Sequence, residues 1–329
     1  MLRVVKIYGV GLAGLVAAIN LAQEGLDVHM FDPQRRVGGN PAWHPSIQTT
    51  VLRPERTWEY IGIDLSSCFQ RVDSIRFYRF GRTTSFVLDN MFVCERGPRK
   101  GSLDSFLYGK ACELGVEFHP LTRFDAHDLK ADGNVIVATG LETTVFQQLG
   151  ISYVPVYGYR GITRAALDTV LISYMDRCTN YDFAYLASHH GLLFALLFSR
   201  KHLAKDSLQR FEQILEATEG IRFSKWVYST GAVPLKAQLF HEGLVLAGTV
   251  SGMIDPFLLH GISGALTSGR IAAQALLDSA GASREFHRLA RSFELKKMMK
   301  MLSALLPLKR ATLPLMMLVD SRMQGVGFV

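Results

Sequence analysis

Residues 4 to 32 constrain this chain more than any other stretch. Val4-Val5-Lys6-Ile7-Tyr8 is a short apolar, β-branched run, and Gly9-Val10-Gly11-Leu12-Ala13-Gly14 follows at once with the spacing GxGxxG. A helical stretch continues to about Gln23, and Asp27-Val28-His29-Met30-Phe31 reads as a second strand closed by Asp32. Strand, glycine turn, helix and a second strand ending in an acid form the context in which this motif holds a dinucleotide. Gly9 permits the tight turn, and Gly11 lets the backbone approach a pyrophosphate. Leu12 and Ala13 complete the cofactor-facing turn, and Gly14 lets the helix pack close to the strand. Asp32 is placed to accept hydrogen bonds from a ribose.

The chain has 329 residues, 48% of them hydrophobic, enough for a substantial core in one or two domains. A formal charge of +7 favours acidic partners, but the basic residues are scattered and no recognition motif accompanies them, so no nucleic-acid partner is expected. Cys68, Cys94, Cys112 and Cys178 are far apart and form no CxxC; free thiols are expected and no metal ligands are assigned. Ile7 to Ala22 has dinucleotide glycine spacing and lacks a convincing cleavage site, which argues against a signal peptide. No apolar run is long enough to span a bilayer, and a cytoplasmic protein is expected.

A distant stretch specifies the cofactor. From Gly243 the chain reads GLVLAGTVSGMIDPFLLHGISGALTSGRIAA: an apolar strand, a glycine turn, Asp255-Pro256, a loop, and a helix from about Gly261. This resembles the second flavin-binding motif of the FAD-dependent class that includes hydroxybenzoate hydroxylase, flavin halogenases and the geranylgeranyl reductases. The order is reproduced at Gly248, Asp255, Pro256, Gly261 and Gly264, while Thr249 stands where the class has its ribityl-binding Asp. The resemblance implies FAD as cofactor, held in part by Gly248, Thr249, Asp255, Gly261 and Ile262. The helix start would direct N–H groups and a positive dipole end at the flavin ring.

Three further stretches are similar to that class. Pro33-Gln34-Arg35-Arg36-Val37-Gly38-Gly39-Asn40 has the basic residue and Gly-Gly pair that follow the second strand, which makes Arg36 (or Arg35) and Gly39 phosphate-facing candidates. Lys100, Leu103, Asp104 and Leu107 match a basic residue, a large apolar residue, Asp and Leu at a helix that Ser102 caps and Gly115 ends, so Lys100 is a cofactor candidate beside Arg99. Asn134 to Val137 is a strand leading into Ala138-Thr139-Gly140, an ending that flavoproteins of this topology carry beside the cofactor, with Gly140 allowing close approach.

Between these motifs lie two excursions. Pro41 to Leu52 is polar and irregular. Ile75 to Phe80 and Thr84 to Leu88 alternate as strands about Gly81-Arg82, and Asp89-Asn90 offers another turn before Met91 to Cys94. Later, Val170 to Met175, Phe183 to Ala187 and Leu192 to Phe198 read as strands, Leu203 to Thr218 as a helix and Arg222 to Tyr228 as a returning strand, similar to the substrate sheet of geranylgeranyl reductases. Their Tyr-x-Trp-x-Phe-Pro is represented by Phe183-Ala184-Tyr185-Leu186-Ala187-Ser188, which makes Phe183 and Tyr185 substrate-lining candidates. His189-His190 reads as a turn. His260, just before the cofactor-facing helix, is the catalytic candidate as a proton donor, against a plain structural role.

The expected architecture is α/β: a Rossmann-like FAD-binding domain with an inserted antiparallel substrate sheet and a C-terminal helical segment. The FAD-binding part takes 1–40, 91–140 and 241–282, the substrate part 41–90 and 141–240, and the last segment 283–329. That segment mixes Arg284, Arg288, Lys296, Lys297, Lys309 and Arg310 with Leu and with Met298, Met316 and Met317, as a membrane-facing helix or one packed on the protein would. The implied activity is an FAD-dependent oxidoreductase that reduces a carbon-carbon double bond of an apolar or lipid, isoprenoid-like substrate, fed by NAD(P)H or a ferredoxin-like carrier. Two rivals stay open. One is a monooxygenase or halogenase on the same fold, although no Trp-x-Trp-x-x-Pro is present and the NADPH-directing Asp-Gly has only Asp132-Gly133 to represent it. The other is a flavin- or lipid-binding protein without catalysis.

Overall fold

The computed structural model describes residues 4–79, 81–126, 134–165, 171–174, 177–179, 183–255 and 260–305. The chain passes back and forth between two sheets. It begins with β1 (Val4–Tyr8), α1 (Leu12–Gln23) and β2 (Asp27–Asp32), then β3 (Ser46–Val51), α2 (Pro54–Ile61), β4 (Gln70–Arg79) and β5 (Arg82–Arg96). α3 (Leu103–Glu113), β6 (Glu117–Pro120), β7 (Val135–Val137) and α4 (Thr143–Gln148) follow. β8 (Tyr153–Arg164), β9 (Leu171–Tyr174), β10 (Phe183–His189), β11 (Leu192–Ser199), α5 (Lys205–Glu219) and β12 (Trp226–Pro234) build most of the second sheet. β13 (Phe240–His241), β14 (Leu244–Leu246), α6 (Ile262–Ala275) and α7 (Ser279–Leu305) close the described chain.

The six-stranded sheet has the order β13-β14-β7-β1-β2-β6, parallel from β14 to β6, with β13 antiparallel at one edge. α1 is buried from Leu12 to Leu21 because it is enclosed by this sheet, α3 and α6. The opposite face carries α4, packed through Phe146 and Leu149 on Val135, Val137, Leu244 and Leu246. α3 is capped as expected, with Ser102 Oγ accepting from Ser105 N at 3.2 Å.

The eight-stranded sheet has the order β12-β8-β11-β10-β9-β4-β5-β3 and curls until β3 touches β10 and β11. Its inner face holds Ile47, Val72, Met91, Leu171, Tyr185 and Phe194. α5 covers the outer face through Phe211 and Leu215, against Tyr174, Ala184 and Leu186. Alternation along β10 therefore turns Tyr185 away from α5.

Several expectations are corrected. The stretch expected to be irregular contains β3, which pairs antiparallel with β5 from Ser46↔Arg96 to Val51↔Met91. That pairing also carries residues 91–96 into the eight-stranded sheet, beyond the boundary expected at 90. Asp89-Asn90 is not a turn: β5 continues through it, and the register slip between Val72 and Ser74 absorbs the irregularity as a bulge. The returning strand starts at Trp226 rather than Arg222 and runs to Pro234, because β8 pairs with it along its whole length. α2 and β8 were not anticipated at all. Val170, Met175, Pro256, Asp132, Gly133 and 306–329, with Lys309, Arg310, Met316 and Met317, lie outside the described residues. Among the described residues, no helix is long and apolar enough to cross a membrane. α7 packs on α6, burying Ala282, Phe286 and Leu289.

Candidate functional site

The glycine motif folds into an open cradle. Gly9 has φ +103°, and a Cβ there would lie 2.4 Å from the Ala138 carbonyl oxygen, so β1 and the end of β7 touch backbone to backbone. A Cβ on Gly14 would lie 2.0 Å from Gly9 O, which fixes how closely α1 approaches the turn. Gly11, the N-cap of α1, differs: a Cβ there meets no described atom within 4 Å. No side chain caps α1, so the first-turn amides, including those of Leu12 and Ala13, face this space with the positive end of the helix. Open space at an uncapped helix start suits a pyrophosphate.

Asp32 closes the cradle. Its Oδ2 accepts from Val10 N at 3.0 Å and its Oδ1 from Gln34 N at 2.9 Å. Burial raises its pKa, opposed by those two N–H groups and reinforced by Glu142. Each carboxylate oxygen keeps capacity to accept a ribose hydroxyl. Beyond β7, Gly140 has φ +67° with no described atom within 4 Å of its missing Cβ, and Thr139 Oγ1 is buried with no hydrogen-bond partner among the described residues.

The basic candidates sort differently from expectation. Arg36 is exposed, and Gly39 donates its N–H to Arg36 O at 3.0 Å in the turn after β2. Lys100 is exposed. Arg99 grips the buried Glu95 through two short bonds of 2.7 and 2.5 Å. The buried partner of Asp104 is Arg96, which sequence reasoning missed: Nε donates to Oδ2 at 2.7 Å and Nη2 to Oδ1 at 2.9 Å, and Gly97 N adds 2.9 Å. Burial pushes the Asp104 carboxyl up, but the Arg96 guanidinium outweighs it and holds the pKa below the ordinary value. The pairing crosses from β5 to α3, and an Arg eight positions before an Asp was its only trace in the sequence.

The distal motif meets the first. A Cβ on Gly248, where φ is +70°, would lie 3.0 Å from the Ala13 Cβ, so the two glycine turns abut. Thr249 is half-buried in the short turn that follows. Asp255 is buried, and its Oδ2 accepts from Lys296 Nζ of α7 at 3.0 Å, a contact the sequence did not announce. Gly261 is the N-cap of α6, again with no capping side chain and with space where a Cβ would be; Ile262 behind it is buried.

His260 precedes that helix and is buried, its Nε2 3.0 Å from Thr49 Oγ1 of β3. Burial lowers its pKa to about 4, with Asp255 pulling up and Lys296 pushing down, so the ring is uncharged at neutral pH. Two residues along β3, Ile47 O accepts from the Tyr185 hydroxyl at 2.8 Å. β3 therefore gathers His260 and Tyr185 within about 7 Å of strand. Phe183 opens β10, and its side chain lies outside the described residues. The turn falls at His190 (φ +49°) and Gly191 (φ +72°), one residue later than expected: His189 is the last residue of β10, buried with its Nδ1 2.9 Å from Gln70 Oε1.

Residues 7–43 match the NAD(P)-binding Rossmann-like domain family. Among proteins of curated function, none matches the sequence. Solved structures match nearly end to end. A geranylgeranyl bacteriochlorophyll reductase-like protein from Thermoplasma acidophilum superposes with a TM-score of 0.70 at 18% identity, covering 91% of this chain and 86% of that one. The p-nitrophenol 4-monooxygenase of Pseudomonas putida DLL-E4 gives 0.68 at 13%, covering 99% and 95%. CtdE, solved in complex with FAD and a substrate, gives 0.64 at 14%, covering 90% and 88%. The chain has the fold of the FAD-binding oxidoreductases. In an FAD-binding oxidoreductase fold the open ground at Gly11, the uncapped starts of α1 and α6, and the orphaned Thr139 hydroxyl are features a dinucleotide would satisfy. The residues present fit the group.

Proposed function

We propose that this protein is an FAD-dependent oxidoreductase that reduces a carbon-carbon double bond in an apolar, isoprenoid-like substrate, with electrons from NAD(P)H or a ferredoxin-like carrier. The observation that carries the reading is β3, which brings His260 at the start of α6 to the apolar inner face of the curled sheet. Bound FAD, once reduced, would supply the hydride, and a proton drawn from solvent would complete the addition. Gly9, Gly11 and Gly14, with the amides of Leu12 and Ala13, would hold its pyrophosphate, Asp32 the ribose, and Gly248 and Thr249 the ribityl end. The uncapped α6 start at Gly261 and Ile262 would offset negative charge developing nearby. Neutral His260, in contact with Thr49 Oγ1 through its Nε2, would position β3 against the start of α6 at the margin of a water-poor face. Ile47, Met91 and Phe194 would favour a substrate without charge.

A second reading, monooxygenation, is favoured by the near-complete coverage of the nitrophenol monooxygenase. One experiment separates them. FAD-loaded protein is reduced by dithionite without oxygen and mixed with a geranylgeranyl lipid, and the product mass is read. A gain of two hydrogens supports the proposal. No turnover without oxygen, together with an added oxygen atom once air is admitted, overturns it for the monooxygenase. Failure to retain FAD at all would favour a non-catalytic lipid binder.

A further inference from the structure

The face of the six-stranded sheet opposite α1 carries a cluster that the cofactor site does not use. β2 and β6 pair in parallel with His29 beside Glu117 and Phe31 beside His119, and alternation puts these four side chains on one face. His29 Nδ1 lies 2.9 Å from His119 Nε2 and 3.4 Å from Glu117 Oε2, and His119 Nε2 lies 3.6 Å from the same oxygen. Three donor atoms thus form a triangle with edges of 2.9 to 3.6 Å. Ligands about 2.0–2.1 Å from one metal ion stand about 3.0 Å apart at right angles and about 3.3 Å apart at the tetrahedral angle.

A plain hydrogen bond between the two imidazoles accounts for only one edge. Glu117 Oε2 stands too far from both rings for good bonds yet at co-ligand distance from each. His29 Nε2 lies 3.2 Å from Asp27 Oδ1, an outer carboxylate that would fix the tautomer with the Nδ1 lone pair directed at the triangle. The rings are also held in place. His119 stacks on His29 at 5.2 Å and on Phe31 at 4.8 Å, and Phe31 stacks on Tyr8 at 5.0 Å. Glu117 and Asp27 together balance a dication.

We propose that His29, Glu117 and His119 bind one borderline divalent metal ion of the zinc class, with solvent at the remaining position, clipping the edge strand β6 to β2. Two imidazoles and one carboxylate select Zn2+, Ni2+, Co2+ or Cu2+ over Mg2+ and Ca2+. The probe is zinc chloride, titrated calorimetrically into the FAD-loaded full chain. One ion per chain is expected, with affinity at least about tenfold weaker in His29→Ala and in His119→Ala, and weaker by a similar factor in Asp27→Asn. Cys112→Ser, which removes an exposed thiol, should leave binding unchanged. Zinc should raise Tm in the wild type and not in His119→Ala. No uptake at millimolar zinc, or unchanged affinity in both histidine variants, overturns the site. Should either variant fail to fold, X-ray absorption of the zinc-loaded wild type decides: two imidazole shells support the proposal, and a sulfur shell refutes it.

Discussion

Gly11 and Gly14 sit three residues apart in one turn and are glycine for different reasons. A side chain on Gly11 meets no described protein atom, so Gly11→Val should fold normally and lose FAD, because its methyls fill the ground a pyrophosphate needs. On Gly14 a Cβ strikes the Gly9 carbonyl at 2.0 Å, so Gly14→Val should lower Tm sharply whether or not flavin is present. Thermal melts and bound flavin on the two variants test the contrast; flavin retained by Gly11→Val would remove the nucleotide assignment. Thr249 offers the opposite experiment. Thr249→Asp should tighten FAD by roughly 1.5–3 kcal/mol, the range of a charge-assisted hydrogen bond, as read by flavin titration. Unchanged or weaker affinity would mean that Thr249 does not stand at the ribityl position.

α7 reaches back to the second cofactor motif through Lys296 and Asp255, both buried. Lys296→Met removes this cation from a buried carboxylate and should destabilise the protein by about 3–5 kcal/mol, while adding Asp255→Asn should recover part of the loss. Urea unfolding of the single and double variants measures both. The element level also shows what could be read in advance. β1, the glycine turn, α1 and β2 announce themselves because strand, turn and helix signals follow one another between Val4 and Asp32, and α3 does so through Ser102 and Gly115. β3 was hidden because Ser46, Gln48, Thr49 and Thr50 look like loop until β5 supplies the pairing. β8 was hidden by Pro155, Gly158 and Gly161, which punctuate a sequence; in the fold, a Cβ on Gly161 would press on Phe223 at 2.8 Å. His29 with Glu117 and His119 depends on the pairing of β2 with β6, and Arg96 with Asp104 on the way α3 packs beside the end of β5, so neither set stands out in the sequence.

Across the whole molecule, acid should act first through histidine. Burial holds His260 at about 4, and burial aided by His190 and Arg99 holds His189 at about 4. Unfolding frees both rings to take up protons near their ordinary value, so stability is full above about pH 6.5 and falls as pH drops toward 4, on the order of 3 kcal/mol for each ring. Asp104, depressed in the fold, adds a further loss only below the ordinary carboxylate range. Urea midpoints between neutral pH and pH 4.5 should show the decline, and His260→Gln should make it shallower by that ring's share while His189 keeps the rest; a midpoint independent of pH over that window would contradict the neutral burial of both rings. The strand order has a consequence for synthesis. β1 is made first, yet β7 follows on one side only after more than a hundred residues, and β14, next to β7, comes about 240 residues after β1. At about 5–20 residues per second, a ribosome takes roughly 12–48 seconds to deliver that last parallel strand. Throughout that interval the nascent chain presents an apolar strand edge to its neighbours on the polysome, and codon choice and chaperone supply should govern how much of it reaches the folded state.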